Sequence, residues 1–179
     1  MWAGSEGYYL RAMLEDPMFT RVLGVDVSAR ELERAERRLD LERRSDSQRE
    51  RLTLRQSSVT YRDDALAGFD AILLVEVIEH VDPNRHESLE ANVFGSARPR
   101  HVVVTTPNAE YNLLYGLAPG QRRHPDHRFE WTRARFQAWA GAVAQQYKYA
   151  VEYRMVGDQV DGVGAPTQLA LFTRQEVSR

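Results

Sequence analysis

The sequence predicts an α/β domain built on a mostly parallel sheet with helices on both faces. Three observations carry that expectation. Short runs rich in Val, Ile and Leu alternate with longer stretches of helical period. The run Ala71-Ile72-Leu73-Leu74-Val75 is continuously apolar, as a central strand covered on both sides requires. Acidic residues follow directly on predicted strand ends, where open α/β sheets bind their ligands. A length of 179 residues suits one domain, and we expect a single domain over 1–179.

Each element has its own signal. Arg21-Val22-Leu23-Gly24-Val25-Asp26 reads as a strand ending in an acid. Ser28-Ala29-Arg30-Glu31 has the form of a capping box. Leu32, Ala35 and Leu39 follow at helical spacing, so a helix is predicted to about Leu41. Arg43 to Arg51 reads as a charged connection. Leu52-Thr53-Leu54-Arg55-Gln56 alternates like a strand, and Phe69 to Glu76 contains the central one. A helix is predicted over about Asn84 to Phe94, and a buried strand over His101 to Thr106, stopping at Pro107. From Asn108 to Trp131 no period emerges, and Gly116, Pro119, Gly120 and Pro125 predict a long loop, a feature usually tied to function. Thr132 can cap a helix whose Phe136, Trp139, Ala140 and Val143 share a face. Strands near Ala150–Met155 and Leu169–Thr173 complete the pattern.

Composition excludes several function classes. There are no cysteines, which rules out disulfides, thiolate metal sites and cysteine nucleophiles. No apolar run approaches the ~20 residues a bilayer span needs, and the N-terminal residues lack the plan of a secretory signal. A cytoplasmic protein with no membrane partner is expected. Acidic side chains exceed basic ones only slightly, 26 to 24, and Lys148 is the lone lysine among arginines. Between Ala97 and Arg135, however, arginines outnumber acids. That local excess suits phosphates, and it suits a solvated surface equally.

Three strand ends carry candidate chemistry. Asp26 ends the first predicted strand, where an acid either accepts hydrogen bonds from ribose hydroxyls or caps the next helix. Gly4, Ser5, Glu6 and Gly7 form a glycine-bearing turn of the kind that lets a cofactor approach the backbone. Glu76-Val77-Ile78-Glu79-His80 follows the most apolar strand. On a helical turn its two carboxylates and imidazole converge, and a cation would relieve their repulsion. Oxygen and imidazole donors suit Mg²⁺ or Mn²⁺, and Zn²⁺ also accepts them. The same residues read alternatively as the acid-rich start of an amphipathic helix. The long loop ends in His124-Pro125-Asp126-His127-Arg128-Phe129-Glu130-Trp131-Thr132, whose histidines could complete a two-His, two-Glu set.

Together Glu76-Val77-Ile78-Glu79-His80, Thr106-Pro107-Asn108-Ala109-Glu110-Tyr111-Asn112 and Asp126-His127-Arg128-Phe129-Glu130-Trp131-Thr132-Arg133 resemble the small-RNA 3′-terminal 2′-O-methyltransferases. The similarity is greatest to the bacterial branch associated with RNA repair, and it covers nearly the whole chain. It implies a class I S-adenosylmethionine-dependent methyltransferase fold, Rossmann-like. It implies that Glu76, Glu79, His80 and His127 hold a divalent metal, Mn²⁺ or Mg²⁺. His124 is the weaker candidate, because the family motif centres on Asp-His-x-Phe-Glu-Trp. The resemblance also implies that Asp26 binds the cofactor ribose, that Ser57 and Ser58 lie by its adenosyl part, and that Gly4 to Gly7 are the cofactor turn. His80 or His127 would take the proton from the 2′-hydroxyl. The implied partners are an RNA 3′ end with a free 2′,3′-diol and a polynucleotide kinase-phosphatase with ligase activity.

The match departs from the family at one place. The cofactor turn of the family reads Asp-x-Gly-Cys-Gly-Glu-Gly after a strand. Here Met1, Trp2, Ala3, Gly4, Ser5, Glu6 and Gly7 stand at those positions, and no strand precedes them. We therefore expect the first strand to be missing and the domain to be N-terminally truncated. Two rival functions follow from the same residues. One is a small-molecule S-adenosylmethionine-dependent methyltransferase, and the other is a non-catalytic RNA-binding module with a degraded cofactor site.

Overall fold

The computed structural model describes residues 7–176, so Gly4, Ser5 and Glu6 of the expected cofactor turn lie outside the described residues. The chain divides into two units, one ending at Tyr61 and the other beginning at Arg62.

In the first unit Gly7, at φ 80°, stands before helix α1 (Tyr8–Glu15). Strand β1 (Val22–Asp26) leads through Ser28 into α2 (Ala29–Leu39). The Ser28 hydroxyl accepts from the Glu31 N–H at 3.3 Å, but the Glu31 carboxylate accepts from Arg34 NH1 instead of closing the predicted capping box. The predicted connection 43–51 is a correction: it contains α3 (Asp46–Arg51), opened by a complete capping box between Ser45 and Gln48. One and a half turns of uniformly polar residues carry no hydrophobic period, so only the cap marked it. Strand β2 (Leu52–Gln56) pairs parallel with β1, Val22 opposite Leu52 and Asp26 opposite Gln56. Leu10, Leu14, Val22 and Leu39 form the buried core of this unit, with Leu52 and Leu54 packed against it.

The second unit holds a four-stranded sheet of β3 (Ala71–Val75), β4 (His101–Pro107), β5 (Tyr149–Val156) and β6 (Thr167–Arg174), in the order β3-β4-β6-β5. β3 and β4 are parallel, while β6 runs antiparallel to both β4 and β5. The α/β class stands, and the described pairings divide evenly between parallel and antiparallel. The reason is local: only a Gly- and Pro-bearing turn joins β5 to β6, too short for a parallel crossover. β4 includes Pro107, one residue beyond the predicted stop.

The helix predicted over Asn84–Phe94 is three pieces: a 3₁₀ turn Pro83–Arg85, α4 (His86–Glu90) and a widened π-helical segment Ala91–Ala97. The predicted loop 108–131 contains a 3₁₀ helix, Ala109–Tyr115, capped by Asn108 and ended by Gly116 at φ 70°. Its tripled period hides it from a 3.6-residue reading. Thr132 caps α5 (Arg133–Tyr147) as expected, accepting from the Arg135 N–H. Phe94, Phe136, Tyr149 and Phe172 are buried together with Val102, Val104 and Ala170. Phe94 meets Phe172 edge-on at 4.8 Å. Among the described residues no helix is long and apolar enough to cross a membrane.

Candidate active site

The register of β3 against β4 builds the site. Val75 lies opposite Thr105, and the chain turns at the next residue, Glu76. Glu76 has φ 51°, a left-handed conformation that a non-glycine residue holds only under constraint. The constraint comes from β4. The Glu76 N–H donates to the Thr105 carbonyl at 3.2 Å and to Thr105 Oγ1 at 3.1 Å. The Thr105 hydroxyl donates in return to Glu76 Oε1 at 2.9 Å.

The 3₁₀ turn Ile78–His80 then carries Glu79 and His80. Thr106 donates its hydroxyl to Glu79 Oε2 at 2.9 Å. The other oxygen, Oε1, is buried and has no hydrogen-bond partner among the described residues. A carboxylate 0% exposed with an orphaned oxygen is costly unless a proton or a cation satisfies it. Burial, and after it the Glu76 charge, push the Glu79 pKa up to about 8. Burial also raises Glu76, against the Thr105 hydrogen bond. Burial lowers His80, and the nearby His127 lowers it further, which favours the neutral imidazole.

His127 arrives from the long loop, which is closed at its base. Asn108 bridges to Trp131, and Gln168 Nε2 donates to the carbonyls of Pro107 and Trp131 at 3.1 and 2.9 Å. The Arg128 N–H donates to the Glu79 carbonyl at 2.6 Å. This docks the loop on the Glu79 turn. The His80 and His127 rings lie 4.8 Å apart at 79°. One ligand atom each from Glu79, His80 and His127 falls within 4.8 Å of the others. Bonds of ~2.0–2.3 Å to one divalent ion place its ligand atoms at most ~4.6 Å apart, so a small inward shift would bring this grouping onto an ion. The donor set, the burial and the orphaned Glu79 oxygen all fit a cation.

Glu76 is outside that close group, its carboxylate held by Thr105. His124 is exposed, its ring 6.1 Å from His80 and 5.6 Å from His127. In the first unit, Asp26 is buried at the end of β1, and its Oδ1 accepts from the Ser28 N–H at 2.8 Å. The Ser57 N–H donates to the Asp26 carbonyl at 3.0 Å. Ser58 Oγ and Thr60 Oγ1 are 2.9 Å apart. Asp26, Ser57 and Ser58 therefore collect where β1 and β2 end.

Sequence reasoning missed the residues behind the candidate ligands. Thr105 and Thr106 act from a neighbouring strand, and although Thr106 opens a quoted motif, nothing local marks either as a partner of Glu76 or Glu79. Glu130 stood inside a quoted motif, and its His-x-x-Glu spacing to His127 was the available clue. His127 Nδ1 and Glu130 Oε1 are 2.6 Å apart, with the two side chains 9% and 3% exposed. Burial raises the Glu130 carboxyl, but hydrogen bonds from Asn112, His127 and the Arg123 amide outweigh it and hold the group below its ordinary value.

Comparison with known proteins gives the chain its relatives. A family model described as a methyltransferase domain matches residues 3–100. The small RNA 2′-O-methyltransferase of Xenopus tropicalis is 44% identical over 126 residues, which cover 69% of this chain and 34% of that protein. The chain thus spans about a third of the length of the curated relatives it matches. The methyltransferase domain of bacterial CtHen1-CN superposes with a TM-score of 0.86 at 44% identity, over 96% of this chain and 87% of that domain. A chain of the Pnkp1/Rnl/Hen1 RNA repair complex superposes at 0.68 and 24% identity, over 97% of this chain and 37% of that one, which bears on the fold alone. Sequence and superposition agree: the chain belongs to the small-RNA 2′-O-methyltransferase family.

Proposed function

We propose that the chain works as one methyltransferase domain that moves a methyl group from S-adenosylmethionine to the 2′-oxygen of the 3′-terminal nucleotide of RNA. The carrying observation is the buried Glu79 carboxylate, with one oxygen unsatisfied, grouped with His80 and His127. Glu79, His80 and His127 would hold a divalent ion, Mn²⁺ or Mg²⁺, and Glu76 would complete the set. When bound, the ion supplies the Lewis acidity that makes a ribose hydroxyl nucleophilic at neutral pH. Of His80 and His127, the one whose basic nitrogen is not occupied by the ion takes the proton from the 2′-hydroxyl. The 2′-oxygen forms its bond to the methyl carbon as the carbon–sulfur bond breaks, leaving S-adenosylhomocysteine. Asp26 orients the cofactor ribose, and Ser57 and Ser58 border its adenosyl part. Much of the rate comes from holding the two reactants in line.

The relatives support the substrate. The frog protein is named for small RNA, and the repair-complex structure places a Hen1 protein beside Pnkp1 and Rnl. By extension, a kinase-phosphatase with ligase activity is the partner we propose, acting in the cytoplasm. The test is methyl transfer from labelled S-adenosylmethionine to a short RNA with a terminal diol, with Mn²⁺ and with chelator. A matched RNA whose last nucleotide is 2′-deoxy runs beside it. Label on the diol RNA only, and only with the ion, is expected. Label on a small catechol but on neither RNA would overturn the reading.

A further inference from the structure

His127 sits in a loop, and a loop imidazole has two tautomers and free rotation about its bonds. The site needs one ring nitrogen with its lone pair free. We propose that Glu130 is a positioning residue that fixes the proton of His127 on Nδ1, so that Nε2 faces Glu79 and His80. This rests on the metal reading only for its purpose; the tautomer itself stands on hydrogen-bond geometry.

The chain of donors and acceptors has a single direction. Arg123 is anchored by its guanidinium, NH1 donating to the Pro166 carbonyl at 2.9 Å and NH2 to the Asn108 carbonyl at 2.6 Å. Its Nε donates to Asn112 Oδ1 at 2.6 Å. That assigns the Asn112 amide, whose Nδ2 must then donate, and it does so to Glu130 Oε2 at 2.5 Å. Glu130 Oε1 also accepts from the Arg123 N–H at 2.8 Å. An ionised carboxylate offers acceptors only. The atom it meets at 2.6 Å, His127 Nδ1, must therefore carry the hydrogen. Arg122 donates through NH1 to the His127 carbonyl and holds the backbone as well. A carboxylate behind an imidazole is the usual means of orienting a metal-binding histidine.

The test reads the ring before any activity. Imidazole ¹⁵N–¹H spectra of the wild-type chain without metal should show His127 as the Nδ1–H tautomer. Glu130→Met keeps the volume and removes both acceptors, so His127 should revert to a mixed or Nε2–H pattern. Manganese affinity, measured by the signal of free Mn²⁺, should fall about 10- to 100-fold. Glu130→Gln keeps one acceptor for Nδ1 but points an amide N–H₂ at that of Asn112, so it should keep the tautomer and lose affinity by a smaller factor. This variant also serves if the Met variant does not fold. In the His127→Ala background Glu130→Met should cause no further loss of Mn²⁺ binding, because it acts through His127. A wild-type His127 without the Nδ1–H tautomer, a folded Glu130→Met variant with an unchanged His127 spectrum, or a Gln variant that loses the tautomer would overturn the assignment. No Mn²⁺ uptake by the wild-type chain, with the tautomer as stated, would instead count against the metal reading.

Discussion

At Glu79 function and stability pull apart. Its carboxylate is buried, one oxygen is served by Thr106 and the other by nothing among the described residues. Glu79→Gln keeps the shape and removes the cost of protonating a buried carboxyl whose pKa is pushed up to about 8. We expect the metal-free variant to be more stable by about 1–2 kcal/mol in urea unfolding, with Mn²⁺ uptake lost. A variant that is less stable and still takes up the ion contradicts this. His127→Ala should lower methyl transfer about 100-fold or more while circular dichroism stays unchanged. Glu90 supplies a pH test away from the site. It is half-buried, accepts from Trp139 Nε1 at 2.7 Å, and burial raises its pKa above the ordinary 4.5. A carboxyl raised on folding binds its proton more tightly in the native state, so stability is fully present below 4.5 and is lost as pH rises through the raised value. Glu90→Gln, which keeps an acceptor for Trp139, should gain on the wild type between pH 4 and pH 7; equal urea midpoints at both pH values would refute it. Asp26, Glu79, His80 and His127 were legible because strand ends and short motifs mark them. The support from Thr105 and Thr106 was not, because a residue that supports another from a neighbouring strand has no spacing of its own to betray it, and Glu130 showed itself only in its His-x-x-Glu spacing to His127.

Among elements, the strands were the most legible, since apolar runs of five residues have few other uses in a polar chain. Gly24 shows how closely β1 is fitted. A Cβ there would lie 2.7 Å from Leu54 Cδ2 and 3.1 Å from Leu10 Cδ1. Gly24→Ala should therefore cost about 1–3 kcal/mol, read as a lower denaturant midpoint at constant slope. An unchanged midpoint would show that the leucines move aside freely. The elements that escaped the sequence were short or irregular. Helix α3 has six residues and no apolar face, the segment from Pro83 to Ala97 changes helical pitch twice, and the 3₁₀ helix after Asn108 has the wrong period. Their existence depends on caps and tertiary contacts, such as Asn108 Nδ2 donating to the carbonyls of Val163 and Ala165. The long loop is held in the same way: its ends are pinned at Asn108 and Trp131, and the Arg128 N–H docks it on the Glu79 turn beside His127.

For the whole molecule, the order of motifs along the chain proved as informative as any one of them. Three strand ends, far apart in sequence, carried the candidate groups, and the parallel pairing of β3 with β4 brought Glu76, Glu79, Thr105 and Thr106 together. The antiparallel C-terminal strands were less legible in their direction, because strand pairing follows from the length of a connection and not from composition. The central claim is that these groups serve transfer to one oxygen of one ribose. The most direct measurement is the position of the methyl group after reaction. The diol RNA is methylated with labelled cofactor and Mn²⁺, digested to nucleosides, and the labelled nucleoside is identified by chromatography and mass. Label solely in the 2′-O-methyl form of the last nucleoside is the predicted result. Label on a base, on an internal ribose or on the 3′-oxygen would contradict it.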